Sequence, residues 1–299
     1  MPVYNGDKFI KEAIDSLLRQ KFANFMLIIS DNASIDETEK ICKKYAENDS
    51  RVIYIRQEKN IGAIENFKYV LEKSCSEYFM WAAHDDYWDE QFLAELVNLL
   101  DEGNDRVVAF CAVQHVDINK SIIRKYKKLK FLNPGKFFLR FELNSFERFI
   151  LQNHLHGKVN LIYGLIRREV LIKSQILNKW GNIGWGADLL MVAQLLRYGN
   201  VAITTKELWR KTQNPDGEGS IKIKNKNKSF IDNINGALYT LKVYNKYAVS
   251  FWKVQKKIDG ALNISIVKRI LFTVYEIVRF NLIWIIQIFQ AIIKKMNLI

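Results

Sequence analysis

Two neighbouring carboxylates end the stretch Tyr78-Phe79-Met80-Trp81-Ala82-Ala83-His84-Asp85-Asp86. Like charges at adjacent positions repel, and a divalent cation between them relieves that repulsion. Oxygen ligands of this kind suit Mg²⁺ or Mn²⁺, which can bridge onward to a diphosphate. The same acids also fit a solvated turn that caps the following helix. A second polar segment, Ser30-Asp31-Asn32-Ala33-Ser34-Ile35-Asp36, follows the apolar run Phe25–Ile29 and offers side chains that can read a nucleobase edge. Ser34 and Asp36 serve equally as helix caps, the favoured reading for these two. In a third segment, Pro2-Val3-Tyr4-Asn5-Gly6, the Tyr4 ring offers a surface on which a base can stack.

Further along, Asn178-Lys179-Trp180-Gly181-Asn182-Ile183-Gly184-Trp185-Gly186-Ala187-Asp188 sets three glycines and two tryptophans before an acid at a helix start. This describes a shaped loop with sugar-stacking rings. The helix dipole favours a carboxylate such as Asp188 at that place. Trp209-Arg210-Lys211 follows an expected strand, Val201–Leu208, and a cation at that point offsets charge on a departing diphosphate unless it is a surface basic pair. His154 and His156 lack a third ligand at matching spacing and read as loop. The glycines at 181, 184 and 186 have the wrong spacing and no close preceding strand for a dinucleotide site, and no phosphate-binding Gly-Lys-Ser/Thr sequence occurs.

These residues need elements that bring them together. Helical spacing of Phe9, Ile10, Ala13, Ile14, Leu17 and Leu18 predicts a helix over about 7–20. Strands are expected at 25–29, 52–55, 78–83, 107–113 and 161–166. Helices are expected from the Ser34/Glu37 capping pair to Tyr45, from Gly62 to Leu71, across Phe92–Leu100 and across Leu189–Tyr198. Strand and helix in alternation imply right-handed βαβ units and a mostly parallel sheet, whose ligands sit beyond the carboxyl ends of the strands. The apolar run before the first helix is short, which leads to the expectation that the reading frame starts upstream or that an inner strand is incomplete.

Hydrophobic residues make up 49% of the 299, enough for a sizeable core and outside the range of disordered chains. Cys42, Cys75 and Cys111 are odd in number with no CxxC pair, so small buried thiols in a reducing cytoplasm are expected rather than disulfides or structural zinc. Net charge is −8 over residues 1–106, +10 over 107–199 and +11 over 200–299. A basic remainder attracts phosphates or anionic lipid. Its basic residues are not interleaved with aromatics on one face, so nucleic acid is not an expected partner. Residues 280–293 carry fourteen positions without a charge, short for a bilayer span, followed by Lys294 and Lys295. That pattern predicts an interfacial helix on an anionic membrane, or a helix packed on the core or on a dimer partner.

In order and spacing, PVYNG, LIISDNASIDET, QEKNIGAIENF and EYFMWAAHDDYW resemble the family 2 glycosyltransferases of the GT-A fold. The resemblance implies an α/β domain over 1–215, with a nucleotide-sugar-binding half at 1–113 and an acceptor half at 114–215. A helical appendage follows at 216–299. It also implies that Pro2, Tyr4, Asp31, Asn32 and Asn60 hold the nucleotide, that Asp85 contacts the sugar or ribose, and that Asp86 ligates Mn²⁺ or Mg²⁺. Arg210 would face the diphosphate. Asp188, which retains only the second member of the family's Glu-Asp pair, would be the base. The implied activity is inverting transfer from a nucleoside-diphosphate sugar, UDP-linked by default, to a glycan or lipid-linked acceptor in cell-surface polysaccharide synthesis. Its setting would be the inner face of the plasma membrane, with a homodimer as one option. The alternatives are a nucleotidyl-type transferase and a non-catalytic membrane-bound subunit of a polysaccharide assembly complex.

Overall fold

A computed structural model of the chain describes residues 1–126, 158–174 and 187–213. All of these belong to one compact unit. The glycine-rich loop before Ala187, the pair His154 and His156, and the whole region expected as a helical appendage lie outside the described residues. Among the described residues, no helix is long and apolar enough to cross a membrane.

The elements run β1 (Pro2–Val3), α1 (Ile10–Leu18), β2 (Leu27–Asp31), α2 (Thr38–Asn48), β3 (Val52–Arg56), α3 (Ala63–Glu72), β4 (Tyr78–Phe79), β5 (Tyr87–Trp88), α4 (Phe92–Asp101), β6 (Arg106–Val116) and β7 (Ile122–Tyr126). A 3₁₀ helix (Lys158–Tyr163), β8 (Leu165–Arg167), α5 (Arg168–Ser174), α6 (Ala187–Leu195) and β9 (Asn200–Thr212) follow. The α/β class is as expected, built on two sheets. The first is parallel in the order β1-β2-β3, with Pro2 opposite Ser30 and Leu27 opposite Val52. The second is mixed, in the order β4-β8-β6-β9-β5 with β7 beside β6. Among the described residues, only β6 and β9 run parallel within it.

β6 is apolar almost throughout and buried along nearly its whole length, as a strand covered on both faces must be. Its flanking helix α4 buries Phe92, Leu93, Leu96, Val97 and Leu100, a stripe at spacings of three and four. Each such side chain contributes about 1.5–3 kcal/mol when fully withdrawn from water. α1 does the same with Ile10, Ala13, Ile14 and Leu17.

Several local expectations are corrected. The second strand begins at Leu27 rather than Phe25, because the Leu27 amide is the first to bond across to Arg51, while the Phe25 ring lies under the Arg51 guanidinium. The Ser34/Glu37 capping box does not form. Ser34 is held by Asp31 and Asn5 instead, and α2 opens at Thr38 with no side-chain cap from Glu37. The strand expected over 78–83 ends at Phe79, after which Trp81 turns inward and its indole donates to the Phe67 carbonyl. The strand expected over 161–166 begins as the 3₁₀ helix. Gly164 then lets the backbone approach β6 so closely that a Cβ would lie 2.6 Å from the Ala109 carbonyl oxygen. β9 continues to Thr212, so Trp209, Arg210 and Lys211 lie inside the strand rather than after it. Finally, Cys75 is exposed, while Cys42 and Cys111 are buried as expected; all three are free thiols.

Candidate active site

The carboxyl ends of β1, β2 and β3 carry one hydrogen-bonded cluster. Asp31, at the end of β2, is fully buried. Its Oδ1 accepts from the Ser34 amide at 2.8 Å, and its Oδ2 from the Tyr54 hydroxyl at 2.7 Å and Arg56 Nη1 at 2.9 Å. Burial, then the bond to Asp31, pushes the Tyr54 phenol pKa up. Asn32 accepts from the Ile61 amide at 2.8 Å and donates to Asn60 Oδ1 at 2.9 Å, so these two expected nucleotide residues do meet. Tyr54 and Arg56 had gone unnoticed. Their spacing of two on a strand, one face of YIR, was the available signal.

The turn after β1 is fastened to the turn after β2. The Asn5 amide donates to Ser34 Oγ, the Gly6 amide to Thr38 Oγ1 and the Asp7 amide to Asp36 Oδ2. Asn5 takes a φ of 51°, which its short polar side chain tolerates, and returns a bond by accepting from the Ile35 amide. Pro2 is buried in the sheet, while the Tyr4 ring is 42% exposed and open to a stacking partner.

His84 joins this region to the acid pair. A Cβ on Gly6 would lie 2.8 Å from the His84 ring, so only glycine permits the contact. Burial lowers the His84 pKa, against the pull of Asp85 and Asp36.

Asp86 is buried between β5 and the end of β9. Its Oδ2 accepts from the Trp209 indole at 3.1 Å and its Oδ1 from the Thr212 amide at 2.9 Å. Burial and the neighbouring Asp85 push its pKa up to about 8, opposed by Lys211, the Thr212 amide and the Trp209 indole. Asp85 is half-buried and makes no hydrogen bond among the described residues. A recess of about 280 Å³, open to solvent, borders the pair and is lined also by Phe9, Glu12, Tyr87, Asp117, Ile118, Lys120 and Thr212.

Lys211, not Arg210, is the cation beside Asp86. Its Nζ donates to Asn160 Oδ1 at 3.2 Å and lies 4.8 Å from the Tyr163 ring centroid and 5.6 Å from that of Trp209. Arg210 is exposed, donates to Gln114 and covers the Tyr87 ring at 5.5 Å. Asp188 lies half-buried in the first turn of α6, which packs on the 3₁₀ helix. Burial and the charges of Asp86, Asp188 and Asp85 together raise the Tyr163 phenol pKa.

Among the described residues, no group of three or more His, Cys, Asp or Glu side chains could hold a metal. Among the described residues, a cation placed here would meet two adjacent carboxylates, Asp85 and Asp86. Each Asp86 oxygen keeps one lone pair beyond its protein donor, and Asp85 keeps all of its own. Two carboxylates completed by phosphate oxygens and water is the usual surrounding of Mg²⁺, and the donor set fits.

A parallel sheet with polar turns at its strand ends, joined through His84 to an acid pair on a mixed sheet, defines a molecule of the GT-A type. Residues 1–171 match the model of glycosyl transferase family 2, and the chain belongs to that family. It is 28% identical over 171 residues to an uncharacterized glycosyltransferase of Rickettsia typhi, covering 57% of this chain and 51% of the relative. A similar protein of Methanocaldococcus jannaschii is 27% identical over 184 residues, covering 60% and 61%. The chain spans about half the length of the first of these relatives. Among solved structures, S. aureus TarS in complex with UDP-GlcNAc matches at a TM-score of 0.58 and 17% identity, over 93% of this chain and 70% of that one. The mannosyltransferase PcManGT of Pyrobaculum calidifontis, in complex with GDP-Man and Mn²⁺, matches at 0.54 and 14%, over 97% and 71%. At these identities the likeness is one of fold.

Proposed function

We propose that the protein transfers a sugar, with inversion, from a nucleoside-diphosphate sugar to a hydroxyl of a glycan or lipid-linked acceptor. The donor is UDP-linked in this reading, and the product belongs to cell-surface polysaccharide. The acid pair carries the proposal: Asp86 is held by the Trp209 indole and the Thr212 amide, with Asp85 beside it, at a recess open to solvent. Family membership and the UDP-GlcNAc and GDP-Man complexes of the structural neighbours support it.

Tyr4 would stack on the base, with Pro2, Asp31, Asn32 and Asn60 shaping the turn around it and Asp85 contacting the sugar or ribose. Asp86, with Asp85 beside it, would hold Mn²⁺ or Mg²⁺, which when bound supplies positive charge to the diphosphate. Lys211 adds a fixed cation on the same side. Asp188 takes the proton from the acceptor hydroxyl as that oxygen attacks the anomeric carbon from the face opposite the diphosphate.

The test is release of nucleoside diphosphate from UDP- and GDP-sugars in the presence of Mn²⁺. Asp86→Ala and Asp188→Asn are each expected to lower turnover by about 10²- to 10⁴-fold. Undiminished Mn²⁺-dependent release by Asp86→Ala would sink the assignment. Release of pyrophosphate would point to nucleotidyl transfer instead.

A further inference from the structure

The carboxyl end of the parallel sheet turns two of its expected nucleotide side chains inward. Asp31 is fully buried, and its oxygens accept from the Ser34 amide, the Tyr54 hydroxyl and Arg56. Asn32 is 3% exposed; its carbonyl accepts from the Ile61 amide and its NH₂ donates to Asn60. Neither side chain is open to a base at the surface. Asn60, in contrast, is exposed.

The direction in which the Asn60 amide faces follows from two backbone groups that can only donate. The Ile61 N–H meets Asn32 at 2.8 Å, so the Asn32 atom there is the carbonyl oxygen and the other branch is the NH₂. That NH₂ donates to Asn60 at 2.9 Å, and the Gly62 N–H donates to the same Asn60 oxygen at 2.9 Å. The Asn60 carbonyl is therefore held against Asn32 and Gly62, and its NH₂ is directed away from them. Asn32 also ties this group to the stacking ring, since its backbone amide donates to the Val3 carbonyl, one residue before Tyr4. Tyr4, Asn32 and Asn60 thus follow β1, β2 and β3 in order across the sheet edge. Neighbouring strands lie about 4.8 Å apart, so β1 and β3 run about 10 Å from each other, which leaves room for a base over Asn32.

We infer that Asn60 reads the base of the nucleotide donor, its oriented NH₂ donating to a ring carbonyl at the position where cytosine and adenine carry an amino group. This deepens the nucleotide-sugar reading above and rests on it. A keto base, uracil or guanine, meets the NH₂ with an acceptor. Cytosine or adenine sets donor against donor and leaves both unpaired. Asn32 is then a positioning residue, which holds the Asn60 amide in the orientation that selects the base.

Binding separates this inference from turnover. Dissociation constants of UDP, CDP, GDP and ADP are measured by calorimetry with Mn²⁺ on the full-length protein, Asn60→Asp and Asn60→Ala. Asn60→Asp keeps an oxygen for Asn32 and Gly62 and turns an acceptor outward, whereas Asn60→Ala removes the donor without adding charge. The parent is expected to favour the keto member of a pair, UDP over CDP or GDP over ADP, by about tenfold, and both variants to lose most of that preference. A side chain that only shaped the turn would weaken both members alike and leave their ratio unchanged. A ratio within about twofold of the parent's in either folded variant, or a parent without preference, overturns the inference and leaves the proposed function standing. Should Asn60→Asp fail to fold, the Asn60→Ala ratio decides alone. A parent that binds none of the four defeats the nucleotide-sugar reading and this inference with it.

Discussion

Successive side chains on β9 leave opposite faces of the sheet, so Lys211 shares a face with Trp209 while Arg210 reaches Gln114 and Tyr87 on the other. In the proposed function a cation serves the diphosphate from the face that carries Asp86, and Lys211 is the cation whose charge lowers the pKa of that carboxylate. Lys211→Met is therefore expected to lower kcat/KM for the nucleotide sugar by about 10- to 100-fold. Arg210→Met, losing an exposed stacking contact, should stay within about threefold, as surface changes usually do. Steady-state kinetics on the two variants checks the order, and the reverse ranking would return the role to Arg210. The basic pair was visible in the sequence, but choosing between its members needed the strand's true end. Extending the strand from Leu208 to Thr212 moved both residues into the pleat and separated their faces.

At the scale of elements, the turns after β1 and β2 hold each other in place. Asp36 accepts from the Asp7 amide at 3.1 Å and from the Thr38 amide at 3.0 Å, linking the turn after β1 to the start of α2. Burial alone would raise the Asp36 pKa; hydrogen bonds from Thr38 and Asp7 outweigh it and hold the group below the usual range. A carboxylate with a depressed folded pKa contributes stability that is present above its unfolded value, near 3.9, and lost as pH falls through the folded one. Asp36→Ala should thus cost about 1 kcal/mol near neutrality, and the variant should lose less stability than the parent between about pH 4 and 2. Denaturant melts across that range measure both; parallel acid limbs would show that Asp36 is not held this way. Gly6→Ala probes the neighbouring contact. Its Cβ would meet Val3 at 2.7 Å and His84 at 2.8 Å, so it should cost about 1–3 kcal/mol and weaken nucleotide binding together, read by melting with and without UDP and Mn²⁺. A Gly6→Ala protein that binds UDP normally would remove His84 from the link between turn and acid pair. The α/β alternation, α1, α3, α4 and β6 were legible because each buries a long periodic stripe or an unbroken apolar run. The short elements were not. β4, β5 and β8 have two or three residues each, and their places are set by partners distant in sequence, such as Tyr87 opposite Arg210 and Phe79 opposite Ile166. The site followed the same division. Asn32 and Asn60 came from the family resemblance and meet through a hydrogen bond, whereas Tyr54 and Arg56, which bond to Asp31, lie in a strand with no motif to mark them.

For the whole molecule, charge is the organising quantity. The first 106 residues carry net −8, yet in the proposed function this part receives a dianionic diphosphate. Local cations must therefore offset local acids, which suits a cation at Asp86 and Lys211 across from it. The remaining 193 residues carry +21, including the +11 of the last hundred, and residues 280–293 add a run without any charge. An apolar helical pattern followed by Lys294 and Lys295 fits attachment to an anionic surface, where each nearby Lys or Arg contributes about 1 kcal/mol. The full-length protein should then co-sediment with vesicles containing phosphatidylserine and release as salt rises, because only the charged part of the attraction is screened. It should pass over purely zwitterionic vesicles. Removing residues 263–299 should abolish the sedimentation and leave Mn²⁺-dependent turnover of a soluble acceptor intact, since Asp86, Lys211 and Asp188 all precede the deletion. If the shortened protein still sediments, the basic surface before residue 263 is the attachment. If it instead loses turnover while the parent ignores vesicles, the tail's apolar face packs within the protein and the membrane reading fails.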